Sequence, residues 1–112
     1  DDPPYGAHVS YRADKHSQGW NAPAFAPWLW DSLQRGSEAM FGAPAYTFGE
    51  GGTISFMAML GQKFPDAQFA VTGVLGPGSN AHGPNEFLHV PTGRKLTAAL
   101  SLLLRDHANR ED

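Results

Sequence analysis

Apolar and polar positions along the chain follow two periods. Ala7, Val9 and Tyr11 alternate with His8, Ser10 and Arg12, the period of two that predicts a half-buried strand. Polar residues 13–19 and the run Trp20-Asn21-Ala22-Pro23 read as loop. Phe25, Trp28, Leu29, Ser32, Leu33 and Gly36 then recur on one helical face. Pro27 falls in the first turn of that helix, where a missing N–H does least harm, and Gly42 and Pro44 end it. Ala45-Tyr46-Thr47-Phe48 predicts a short strand and Gly49-Glu50-Gly51-Gly52 a turn. Thr53 reads as the N-cap of a helix over about residues 54–64, stopped by Pro65-Asp66. The run Gln68-Phe69-Ala70-Val71-Thr72-Gly73-Val74-Leu75 is nearly continuous in apolar character, which suits a strand buried on both faces. Residues 76–88 form a loop with three glycines and two prolines. A last helix begins near Pro91, with Leu96, Ala99, Leu100, Leu103, Leu104 and His107 as its apolar stripe.

The order after residue 20 is therefore α-β-α-β-α. Strands joined by crossover helices imply an α/β fold with a parallel sheet. Ligands of such sheets bind beyond the carboxyl ends of the strands. The glycine-rich turns at 49–52 and 76–83 each follow a strand, so both are expected on one rim. No internal repeat or low-complexity segment interrupts the pattern.

Composition narrows the function classes. The 112 residues suffice for one domain with one modest core. A net charge of -3, with no cluster of Lys or Arg, argues against nucleic acid and against a membrane surface as partners. The chain has no cysteine, hence no disulfide and no thiolate zinc site, which fits a reducing, cytoplasmic setting. No apolar run reaches membrane-spanning length. The start Asp1-Asp2-Pro3-Pro4 carries neither initiator Met nor signal peptide and reads as the interior of a longer protein.

Two clusters carry candidate chemistry. His82 lies on the loop after the best strand, and neutral imidazole is a good ligand for zinc and similar ions. Glu86 lies four residues on and can brace the loop or the ligand. Spacing alone leaves open a histidine that is merely exposed or braces its loop. His89 is a weaker ligand candidate beside the last helix. At the other cluster, Gly51-Gly52-Thr53 would open a helix after a strand, where unpaired N–H groups and the helix dipole favour an anion such as a carboxylate. The same residues also make an ordinary tight turn with an N-cap. Ser79 near His82 raises a nucleophile–base reading, but no nucleophile elbow surrounds it.

The motifs Glu50-Gly51-Gly52-Thr53-Ile54, Gly73-Val74-Leu75-Gly76 and Asn80-Ala81-His82-Gly83-Pro84-Asn85-Glu86, in that order, resemble the C-terminal part of the dinuclear zinc peptidases and deacylases. That family includes aminoacylase, carnosinase, glutamate carboxypeptidase and succinyl-diaminopimelate desuccinylase, and the resemblance covers nearly the whole chain. It implies that residues 1–18 end an inserted lid and dimerisation domain, and that residues 19–112 are the C-terminal segment of the catalytic domain. It implies His82 as a metal ligand, with Asn85 and Glu86 in the loop that braces it. Glu50, Gly51, Gly52 and Thr53 would form the turn that receives the substrate. The implied cofactor is a pair of zinc ions, with manganese or cobalt as alternatives. The implied substrate is a small peptide or an N-acyl amino acid, and the implied assembly is a homodimer.

The remaining ligands and the general base of that family have no counterpart in these residues. No catalytic residue is therefore assigned here, and the chain alone is expected to lack hydrolase activity. The rival class is a non-catalytic α/β binding or interaction module. A serine hydrolase using Ser79 ranks last.

Overall fold

The computed structural model describes residues 3–14, 19–50, 54 and 56–110. Among them the chain is helical and carries no strand, which corrects the expected α/β, α-β-α-β-α architecture with parallel strands. The three segments expected as strands, at 7–11, 45–48 and 68–75, take neither helix nor ladder. The reason is physical: a strand exists only when a neighbour accepts its backbone hydrogen bonds. No described segment offers that neighbour. At Ala45 a side chain substitutes for it, since Gln34 Nε2 donates to the Ala45 carbonyl at 2.9 Å and Gln34 Oε1 accepts from the Ala45 N–H at 3.1 Å. Val9 and Tyr11 alternate as a half-buried strand would, yet both are exposed.

The chain divides into two compact units. The first comprises Asp1–Asn21 and Glu50–Pro65. It holds a single 3₁₀ turn at Pro4–Gly6, with Tyr5 in the left-handed region at φ 61°, and a helix, Phe56–Lys63. Met57 is buried, and the Trp20 indole lies so close to Gly61 that a Cβ there would stand 2.9 Å from its nitrogen.

The second unit comprises Ala22–Gly49 and Asp66–Asp112. It is built on two helices, here α1, Pro27–Phe41, and α2, Val90–Ala108. Helix α1 forms as its pattern predicts. Pro27 occupies its first turn, and Leu29, Ser32 and Gly36 form its buried face. Gly42 ends it at φ 71°, a left-handed C-cap whose N–H donates to the Glu38 carbonyl at 2.9 Å. Ahead of the helix, the Ala26 N–H donates to Gln68 Oε1 at 2.6 Å, tying the 66–75 segment to the start of α1.

The two helices pack antiparallel. Gly36 meets Ala99, where a Cβ on Gly36 would stand 3.4 Å from the Ala99 methyl, so two small residues allow a close crossing. Lys95 sits over the Phe41 ring at 5.6 Å. Toward the other end, the Trp28 ring receives the edge of His107 at 5.4 Å and faces the Arg110 guanidinium at 5.2 Å. Between these contacts Asp106 clamps the pair. Its Oδ2 accepts from Ser32 Oγ and Arg35 Nη2, both at 2.8 Å, and its Oδ1 accepts from Arg105 Nη2 at 2.8 Å. Hydrogen bonds from Arg105, Arg35 and Ser32, in that order of weight, hold the Asp106 carboxyl well below the usual carboxylate range.

The apolar core of this unit is small. Leu29 is 2% exposed, and burying it contributes about 1.5–3 kcal/mol. Leu104, expected in the α2 stripe, is instead exposed. Among the described residues no helix is long and apolar enough to cross a membrane.

Candidate functional site

The loop at 76–88 closes on itself. Its first residue, Gly76, lies against the residue that follows it: a Cβ at position 76 would stand only 2.0 Å from the Cβ of His89. Only glycine fits that approach. A compact loop with adjoining ends and its own internal bonds is a frequent carrier of function.

Ser79 builds the inside of the loop. It is 3% exposed, its Oγ accepts from the Gly76 N–H at 3.1 Å, and its N–H donates to the Gly76 carbonyl at 3.2 Å. Its carbonyl accepts from the Phe87 N–H at 3.1 Å, which zips the two limbs together. A hydroxyl so buried and engaged braces a turn, and the nucleophile reading of Ser79 finds no support in it.

Asn80 builds the tip. Its Nδ2 donates to the Pro84 carbonyl at 2.7 Å, and its carbonyl accepts from the Gly83 N–H at 2.9 Å. Gly83 leaves room for that amide, because a Cβ there would stand 2.5 Å from Asn80 Nδ2. Asn80 has no role in the sequence pattern beyond its place in the motif. An asparagine among glycines and prolines was the signal, since its short amide tolerates left-handed backbone and bonds locally.

His82 projects from this frame. Its backbone stands at φ 61°, with Asn80 at 54° and Asn85 at 59°. Three non-glycine residues in the left-handed region within six positions is rare, and such conformations persist only where surrounding bonds enforce them. The enforcing bond at His82 comes from Glu86, whose Oε2 accepts the His82 N–H at 3.2 Å. The His82 ring itself is exposed and takes no hydrogen bond from the described residues. Glu86 therefore braces the backbone of His82 rather than its ring.

His89 serves the fold. Its Nδ1 accepts from the Thr92 N–H at 3.3 Å and lies 2.8 Å from Thr92 Oγ1, making it the N-cap of α2. The ring nitrogen that faces the helix is thus occupied.

The structure brings His82, Asn85 and Glu86 together on one loop. Glu50 is exposed and belongs to the other unit. Gly51, Gly52 and Thr53 lie outside the described residues. With no sheet among the described residues, the shared rim expected for the two turns has no counterpart. No three His, Cys, Asp or Glu side chains converge on one point among the described residues. The described residues thus offer at most one ligand of a metal and not a complete centre.

No protein-family model matches this sequence, and no curated protein matches it.

Proposed function

We propose that this chain supplies one metal ligand, His82, to a metal-dependent hydrolase of amide bonds in small peptides or N-acyl amino acids. What supports the reading is one observation: a loop that holds three left-handed non-glycine residues and presents an exposed imidazole with no hydrogen bond from the described residues. The motif carried by that loop, Asn80 to Glu86, is the one that resembles the zinc peptidases and deacylases. The reading rests on the loop, and the fold adds nothing to it.

In this role His82 offers a ring nitrogen from a backbone fixed by Glu86, while Asn80 and Ser79 keep the loop from collapsing around it. When bound, zinc supplies Lewis acidity toward an amide carbonyl and a water of lowered pKa. Asn85 shapes the turn before Glu86 through its left-handed backbone. A single imidazole leaves the remaining ligands and the general base to groups beyond the described residues, so the chain by itself should bind metal weakly and turn over nothing.

The test follows the five histidines of the chain by NMR during titration with zinc. The His82 ring signals should move first and should be the ones lost in His82→Ala, while the His89 ring, engaged at Thr92, stays in place. Perturbation of the other histidines ahead of His82 would remove the reading. So would metal-dependent hydrolysis of N-acyl amino acids by the His82→Ala chain. A second reading, a non-catalytic interaction module, is favoured by the open apolar face on the same unit and would be supported by a His82 ring that ignores zinc.

A further inference from the structure

The second unit leaves residues 70–75, most of its best strand-forming segment, without backbone partners among the described residues and beside an open groove. Residues 70–75 are all exposed and take no backbone hydrogen bond from the described residues. Val71 is 56% exposed and Leu75 68%. Next to them lies a groove of about 570 Å³ between Val74 and Leu88 on one side and α2 on the other, at Val90, Gly93, Thr97 and Ala98. The polar atoms of the helix wall are spent within the helix. Thr97 Oγ1 donates to the Gly93 carbonyl at 2.9 Å, and Ser101 Oγ donates to the Thr97 carbonyl at 2.8 Å. The wall is therefore apolar in effect, with Arg94 as its charged residue.

We infer that this face is the contact between two copies of the chain, in which residues 70–75 of each pair antiparallel with residues 70–75 of the other and cover the groove. The segment meets the requirements for strand addition. Val71, Thr72 and Val74 favour the extended state, and positions 67–75 hold no charge and no proline. The devices that protect an edge from pairing, an edge lysine, a proline or an inward charge, are absent from these positions. Antiparallel pairing of one segment with itself is self-complementary about a two-fold axis, so the contact closes at two copies.

The area suffices. Val71, Val74, Leu75, Phe87, Leu88 and Val90 together expose on the order of 500 Å² of mostly apolar surface, at the upper range for a patch on a monomer. Two such faces bury on the order of 1,000 Å², the least that a specific interface needs, before the ladder is counted. This inference stands apart from the metal-ligand reading, since His82 is not among the residues it uses.

Sedimentation equilibrium of the whole 112-residue chain tests it. The expected species is a dimer of twice the 12.1 kDa chain mass that dissociates on dilution. Val71→Pro and Thr72→Pro each remove one amide donor from adjacent positions, so one of them deletes a ladder bond whichever way the segment alternates. That variant should be monomeric, with an unchanged helical circular dichroism signal. Should both variants lose their helices, amide exchange on the unaltered chain decides. Amides 70–75 should be protected at high concentration and exchange freely on dilution. A monomer at every concentration, an open-ended polymer, or a dimer whose 70–75 amides exchange freely would overturn the inference.

Discussion

Gly76→Ala is the sharpest test of how the His82 loop is held. The new methyl would stand 2.0 Å from His89 Cβ and 2.5 Å from His89 Cγ. Ordinary carbon contacts begin near 3.5 Å, so the overlap is about 1.5 Å, and it falls on a Cβ that cannot swing aside. Either the loop opens at its neck or His89 leaves the start of α2. Overpacking of this kind costs about 1–3 kcal/mol. Displacing His89 also releases the Thr92 N–H that its Nδ1 accepts, a lost N-cap of about 1 kcal/mol. The expected destabilisation is therefore about 2–4 kcal/mol, a large share of the stability of a small unit. Urea unfolding followed by circular dichroism measures it, and a double-mutant cycle with His89→Gly assigns it. His89→Gly removes all three atoms that the methyl strikes, Cβ, Cγ and Nδ1, so Gly76→Ala should cost almost nothing in that background. A Gly76→Ala chain within about 0.5 kcal/mol of the unaltered one, or an equal cost in both backgrounds, would refute the closed-neck account.

At the crossing of α1 and α2 the sign reverses. A methyl on Gly36 meets Ala99 at 3.4 Å, an ordinary contact, while glycine in a helix interior costs about 0.8–1.0 kcal/mol relative to alanine. Gly36→Ala should thus raise the thermal midpoint by a few degrees, and Gly36→Leu should lower it by forcing the helices apart. The Asp106 clamp predicts a pH dependence. Its carboxyl titrates lower in the folded chain than in the unfolded one, so its contribution to stability is full above the ordinary Asp value of about 3.9 and declines as pH falls below it. Asp106→Asn should flatten that part of the stability–pH curve, and an unchanged slope between about pH 5 and pH 2 would show that the clamp does not form in solution.

Helix α1 could be read from the sequence almost to the residue, because every signal for it is local. Pro27 sets the start, Gly42 the end, and the spacing of Leu29, Ser32 and Gly36 the buried face. Helix α2 was readable for the same reason, but its stripe is only half-buried, and Leu104 and His107, both expected in it, are exposed. The clamp from Ser32 and Arg35 to Asp106 left no trace in the sequence. It joins positions more than seventy apart, and nothing in a serine or an arginine on a helix announces the carboxylate it will meet. The loop at 76–88 was recognisable as a loop and His82 as its exposed imidazole. The bond that fixes His82, from its own N–H to Glu86, also lay within reach of sequence spacing. The contact of Gly76 with His89 did not, since no periodicity links the two ends of a loop.

The strands fail for a different reason, and it bears on function. Periodicity reports what a segment can bury, not what is there to bury it. Residues 70–75 are mostly apolar, a composition that profits from neighbours on both sides, and no described residue bonds their backbone. At Ala45 a single glutamine side chain makes the two bonds that a strand would have made, which shows how local a substitute can be. No such substitute exists at 70–75 among the described residues, and the exposed backbone and adjoining groove match the extended, uncharged segment inferred to cover them. His82 poses the same condition in chemical form. Under the metal-ligand proposal the exposed His82 ring would be half of an interaction, the other half being a metal whose remaining ligands the described residues do not provide. If both proposals hold, each feature constrains its partner: the segment would need a strand without charge at its centre, and the imidazole an ion that prefers nitrogen donors.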